Sequence, residues 1–168
     1  VYKRQPESQW ALLRESQADA LCLPHTGMVS NIDLGDAKDI HPKTKREVGR
    51  RMAAIALNQT YGKHKTAFTA PVYERYTVEA DGIHIHFATP QGSEPLVIED
   101  NLPGFILAGA NRQWHVAKAK VLSGNEVVVS CQGIDFPVAV RYGWADNPTC
   151  TLRTQSGLHV APFRTDRW

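Results

Sequence analysis

Between Ile32 and Pro42 the sequence places Asp33, Asp36, Asp39 and His41 in one short stretch. An imidazole titrates near neutral pH. It can take a proton from a hydroxyl nucleophile and later return it to a leaving oxygen, provided a carboxylate or carbonyl fixes one ring nitrogen. His41 is the candidate for that work, and Asp39 or Asp36 are the acids that could orient it. Asp39 stands only two residues before the histidine, a cramped separation for side-chain contact, so a backbone carbonyl could orient the ring equally well. A purely structural reading fits the same residues: Asp36 or Asp39 satisfies backbone N–H groups in a capped loop while His41 packs. Spacing leaves both readings open.

Such a stretch belongs in a loop between a strand and a helix, and the flanking sequence predicts both. Pro6 and Ser8 open a helix in which Trp10, Leu13, Gln17, Ala20 and Leu21 recur on one face, expected to pack inward. Leu23-Pro24-His25-Thr26-Gly27 breaks it. The apolar run Met28 to Leu34 then suits a short buried strand ending in the turn Gly35-Asp36. From Pro42 to Tyr61-Gly62 a second helix is expected, with Val48, Met52, Ile55 and Ala56 on its apolar stripe. Lys43, Lys45, Arg46, Arg50 and Arg51 would form its solvated face. The positive end of that helix disfavours an imidazolium at His41 unless an acid stands nearby.

After a linker at residues 63–71 the apolar period changes to two. Runs at Tyr73 to Glu79 and Ile83 to Ala88 flank Asp81-Gly82, and runs at Val116 to Leu122 and Glu126 to Cys131 flank Gly124-Asn125, both hairpin signals. Further runs lie at Leu96 to Ile98, Phe105 to Leu107, Val138 to Tyr142 and Cys150 to Arg153. The first part thus reads as helical with one short strand between, and residues 71–168 as an antiparallel β-sandwich.

Composition narrows the function classes. With 168 residues, 42% hydrophobic and 21% charged, the chain can bury one modest core or two small ones, and disorder is excluded. A net charge of +2 without a long basic run argues against nucleic acid as a partner. No window of ~18 apolar residues offers a membrane span. Cys22, Cys131 and Cys150 form no CxxC motif; free buried thiols are the expectation, although Cys131 and Cys150 could pair in an exported protein. His84 and His86 point the same way from one strand, but no third ligand has a clear spacing, so no metal site is expected. His25 reads as a turn residue. Trp114, Tyr142 and Trp144 could stack on sugar rings and read more simply as core. Val1-Tyr2-Lys3-Arg4-Gln5 matches the translation of a transposon sequencing adapter, so residues 1–5 are set aside as an artefact. Removing Lys3 and Arg4 from 19 basic residues leaves 17 against 17 acidic ones, a neutral balance.

Several blocks in order carry a family resemblance. Asp33-Leu34-Gly35-Asp36, Asp39-Ile40-His41-Pro42 with Lys45, and Val48-Gly49-Arg50-Arg51 resemble the last catalytic block of the sialate O-acetylesterases, a branch of the SGNH/GDSL hydrolases. Trp10-Ala11 with Leu13-Arg14-Glu15 and Gln17, Leu23-Pro24 with Thr26-Gly27-Met28, Val138 to Tyr142, Trp144 to Pro148 and Pro162 to Asp166 are similar to the same family. The resemblance implies a serine esterase that removes acetyl groups from sugar hydroxyls without metal or organic cofactor, His41 being its histidine. It also implies the fold class α/β plus β, with residues 6–66 as the C-terminal end of an SGNH-type α/β domain, Met28 to Leu34 at the edge of its parallel sheet, the sandwich following, and a periplasmic or secreted location.

Two departures matter. The family's nucleophile lies in a GQSN-type block. This sequence has none, since Gln155-Ser156-Gly157 falls near the wrong end. The expectation is a fragment that depends on a missing N-terminal part of the same protein for its serine and oxyanion donors, and is inactive alone. Secondly, many SGNH enzymes carry an aspartate three residues before the histidine, where this chain has Lys38. The rival from another class is a non-catalytic carbohydrate-binding or scaffolding sandwich.

Overall fold

A computed structural model of the protein describes residues 7–41, 43–63 and 66–168. The stretch at residues 1–5, Pro6 as helix opener and Pro42 as helix start lie outside the described residues. Helix α1 spans Gln9–Asp19, and a turn of 3-10 helix, Ala20–Cys22, follows. Ser8 caps α1: its hydroxyl accepts from the Ala11 N–H at 3.1 Å and donates to Asp146 at 2.6 Å. Helix α2 spans Lys45–Gln59, starting later than expected, and Gly62 ends the segment with a φ of +64°.

The two-residue period becomes eight strands among the described residues: β1 (Val72–Glu79), β2 (Gly82–Ala88), β3 (Phe105–Gly109), β4 (Trp114–Val116), β5 (Lys118–Ser123), β6 (Glu126–Ser130), β7 (Pro137–Tyr142) and β8 (Phe163–Arg164). They form two four-stranded antiparallel sheets, ordered β1-β2-β6-β5 and β4-β3-β7-β8. Ile83, Ile85 and Phe87 of β2 and Val127 and Val129 of β6 share one buried cluster with Phe105, Leu107, Val140 and Tyr142 of the other sheet. Alternation along each strand produces this arrangement by turning every second side chain toward the opposite sheet.

Several expectations are corrected. Met28–Leu34 is not a strand. No described segment pairs with it, and a strand exists only through its ladder; instead the chain turns, the Leu34 N–H donating to the Asn31 carbonyl at 3.0 Å. No parallel sheet is present among the described residues. The runs at 96–98 and 150–153 form isolated bridges (Leu96 with Thr154, Arg153 with His159) rather than named strands. Val116 to Leu122 is divided between β4 and β5, which belong to different sheets. In the first hairpin the loop is Ala80-Asp81, and Gly82 already pairs with Glu79. Glycine is required there, because φ is +146° and an added Cβ would lie 2.4 Å from the Val129 carbonyl oxygen.

The helix faces also differ from expectation. Trp10, Leu13 and Leu21 are exposed, and the residue α1 buries is Ala11. The helix is held to the sheets by polar contacts instead: Arg14 donates to the Gly143 and Ala145 carbonyls, and Glu15 binds Arg164 through both oxygens at 2.9 and 2.7 Å. On α2, Met52 is exposed, whereas Arg51, assigned to the solvated face, is buried. Trp114, Tyr142 and Trp144 are buried, in keeping with the core reading. Arg141 lies over both indoles, at 4.3 Å from Trp114 and 5.4 Å from Trp144, while binding Asp166 at 2.8 and 2.6 Å. The three cysteines are free, and burial pushes the Cys150 thiol up to about 11.

Candidate active site

The loop between α1 and α2 is fixed at its start by Asp33. Arg51, from the second turn of α2, reaches back to Asp33 with two hydrogen bonds of 2.8 and 2.6 Å and to the Ser30 carbonyl at 2.7 Å. Glu47, one helical turn earlier, accepts from the same guanidinium at 3.0 Å. Partial burial raises the Asp33 carboxyl, but the Arg51 hydrogen bonds and the nearby charge of His159 outweigh it and hold the group below the usual carboxylate range. At the other end of the loop Thr44, just before α2, donates its hydroxyl to the Leu34 carbonyl at 3.1 Å rather than capping the helix.

Within this frame Asp36 and Asp39 form a single antiparallel bridge. Asp36 accepts from the Lys38 N–H at 2.9 Å, a turn-closing bond within the loop. Asp39 accepts from the His41 N–H at 2.9 Å, and the same oxygen lies 3.0 Å from the His41 Nδ1. The separation of two residues therefore does permit side-chain contact, because the turn folds the imidazole back over its own N–H. Both His41 interactions, backbone first, hold the Asp39 carboxyl below its ordinary value. A carboxylate only accepts, so its partner Nδ1 carries hydrogen and a neutral ring presents Nε2 as the acceptor. That is the tautomer a general base needs. The His41 side chain is 77% exposed, so nothing in the described chain shields it from water.

Beside the loop lies a cleft of about 510 Å³, lined by residues that include Trp10, Leu13, Gln17, Asp39, Ile40 and Asn147. It joins the exposed face of α1, the loop and the far end of the second sheet. Three blocks that carried the family resemblance meet in space: Arg14 donates to the Ala145 carbonyl and Glu15 binds Arg164. Sequence reading did not find the Arg51–Asp33 pair. The signal available was the i, i+4 spacing of Glu47 and Arg51, which puts opposite charges on one helix face beside an apolar stripe. Ser156 sits in a turn of the β half, where its N–H donates to Glu94 at 3.0 Å and its hydroxyl lies 3.1 Å from Thr154.

No protein-family model matches the chain, and neither does any curated protein. Solved structures do. A carbohydrate acetylesterase from Xanthomonas citri superposes with a TM-score of 0.87 at 39% identity over 96% of this chain. The match takes in 37% of that enzyme, so this chain spans well under half of its length. Among the described residues, no helix is long and apolar enough to cross a membrane.

Proposed function

We propose that this chain is the histidine-bearing C-terminal part of a carbohydrate O-acetylesterase of the sialate O-acetylesterase type, built on an SGNH hydrolase domain followed by a β-sandwich. The observation that carries the reading is the 39% identity to an acetylesterase through almost the whole chain. The Asp39–His41 pair supports it, because it supplies the base tautomer at the edge of a cleft.

In this reading the nucleophile is a serine on a segment outside this sequence, and the same segment brings the oxyanion donors. His41 Nε2 takes the serine proton as the oxygen attacks the acetyl carbonyl. The resulting imidazolium, steadied by Asp39, gives that proton to the departing sugar oxygen, leaving an acetyl-serine. Water then repeats the attack, its proton passing through His41 to the serine, and acetate leaves. No metal or organic cofactor enters these steps. The acetylated carbohydrate is the substrate, and the exposed apolar side chains of α1 and the loop are the surface onto which the serine-bearing part folds.

A chimera tests this. The Xanthomonas enzyme, with its matching C-terminal segment replaced by this chain, is expected to release acetate from acetylated sugars, while the chain alone releases none. A folded chimera without esterase activity, or turnover by the isolated chain, contradicts the proposal.

A further inference from the structure

On the outer face of the first sheet, His84 of β2 is almost enclosed by carboxylates. Its Nδ1 lies 2.7 Å from Glu126 of β6, its Nε2 lies 2.8 Å from Asp81 in the β1–β2 loop, and Glu79 at the end of β1 stands 3.8 Å from the same nitrogen. One imidazolium thus faces three carboxylates, a local excess of negative charge around a side chain only 8% exposed. This cluster is remote in sequence from the His41 loop and plays no part in the esterase reading.

We propose that Glu79, Asp81 and His84 form a binding site for a divalent transition-metal cation, Zn²⁺ fitting best, with Glu126 orienting the imidazole. The three ligand atoms already lie within 4.8 Å of one another. Nitrogen and oxygen ligands at the usual zinc distances sit roughly 3.4 Å apart around a tetrahedral ion, so closure asks for small side-chain movements. Glu79 and Asp81 are 52% and 66% exposed; Glu79 accepts the Thr77 hydroxyl at 3.1 Å through Oε1 and turns Oε2 toward the imidazole, whereas the nearly buried His84 is fixed. The role of Glu126 is the most telling feature. A carboxylate on the far ring nitrogen is the partner that metal-bound histidines use to hold their tautomer and strengthen the donating nitrogen. Here it keeps hydrogen on Nδ1, and the metal takes the Nε2 lone pair. His86, the other histidine of the strand, is not a ligand here; its Nε2 lies 3.2 Å from the Thr77 hydroxyl.

Binding displaces the Nε2 proton to solvent while Nδ1 keeps its hydrogen, donated to Glu126, so uptake releases close to one proton per metal when His84 starts as the imidazolium. The test is calorimetric titration of the chain with Zn²⁺ in buffers of different ionisation enthalpy. It is made in a Cys22→Ser background, because the exposed Cys22 thiol offers an unrelated ligand. The expected result is one saturable site with proton release. Asp81→Asn and Glu126→Gln should each weaken it about ten-fold or more, His84→Gln should abolish it, and His86→Gln should leave it unchanged. Asp81→Asn alters an exposed loop side chain, so it keeps the test decisive if His84→Gln fails to fold. The absence of saturable uptake, or undiminished affinity in Asp81→Asn, would overturn the proposal.

Discussion

An exposed histidine–carboxylate pair contributes little to stability in water, so the proposed role of the Asp39–His41 contact is tested by turnover and not by unfolding. Asp36 closes a turn through the Lys38 N–H, whereas Asp39 reaches the imidazole. In the active chimera, Asp39→Asn is therefore expected to lower kcat while Asp36→Asn leaves it nearly unchanged. Equal losses, or none in either, would return the orienting role to a backbone carbonyl. Arg51 is the opposite case. Its side chain is 4% exposed and its removal strands Asp33 without its cation, so Arg51→Ala should cost about 3 kcal/mol in urea unfolding. Arg50, which binds Glu47 at the surface, should cost less than about 1 kcal/mol when replaced by alanine. A single position along the helix separates the two. The basic run in the sequence concealed the difference, because periodicity ranks residues by polarity and cannot show that Asp33 waits on the buried side.

At the scale of elements, α1 depends on polar attachment. Ser8→Ala removes both the cap on Ala11 and the bond to Asp146, and is expected to cost about 1 to 2 kcal/mol by denaturant unfolding. The β1–β2 hairpin has its own pH signature. Burial opposes the charged form of His84, but the bonds to Glu126 and Asp81 and the charge of Glu79 outweigh it and raise its pKa above the ordinary value. His86 on the same strand, Thr77 and Arg75 on β1 and Lys120 on β5 lie on the same face of the sheet. A raised pKa in the folded state means that the stabilisation is fully present below the unfolded value of about 6.5 and is lost as pH rises through the folded one. Without metal, the difference in Tm between the chain and His84→Gln should thus be larger at pH 6 than at pH 9; a difference independent of pH would contradict this. The strands were legible because a two-residue period and the Asp81-Gly82 and Gly124-Asn125 signals are local. The isolated bridges at Leu96 and Arg153 were not, since apolar content predicts burial and a ladder also needs a partner in register.

For the molecule as a whole, the distribution of exposed apolar side chains is uneven in meaning. Trp10, Leu13, Leu21, Leu23, Ile40, Met52, Leu57 and Tyr61 all belong to the helical half, and several of them read in the sequence as core. Their apolar character was legible; their exposure was not, because periodicity marks an apolar side chain without showing what packs on it. If the cleft-lining Trp10, Leu13 and Ile40 need cover, the isolated chain should self-associate through them, and Leu13→Glu should shift it toward the monomer in sedimentation velocity. A monomeric parent chain would show that these side chains need no cover.

The most direct measurement is acetate release by the chimera carrying His41→Gln, with its Tm and KM measured alongside. kcat is expected to fall about a hundred- to ten-thousand-fold, with Tm and KM little changed. A stable His41→Gln chimera that deacetylates at the parental rate would contradict it.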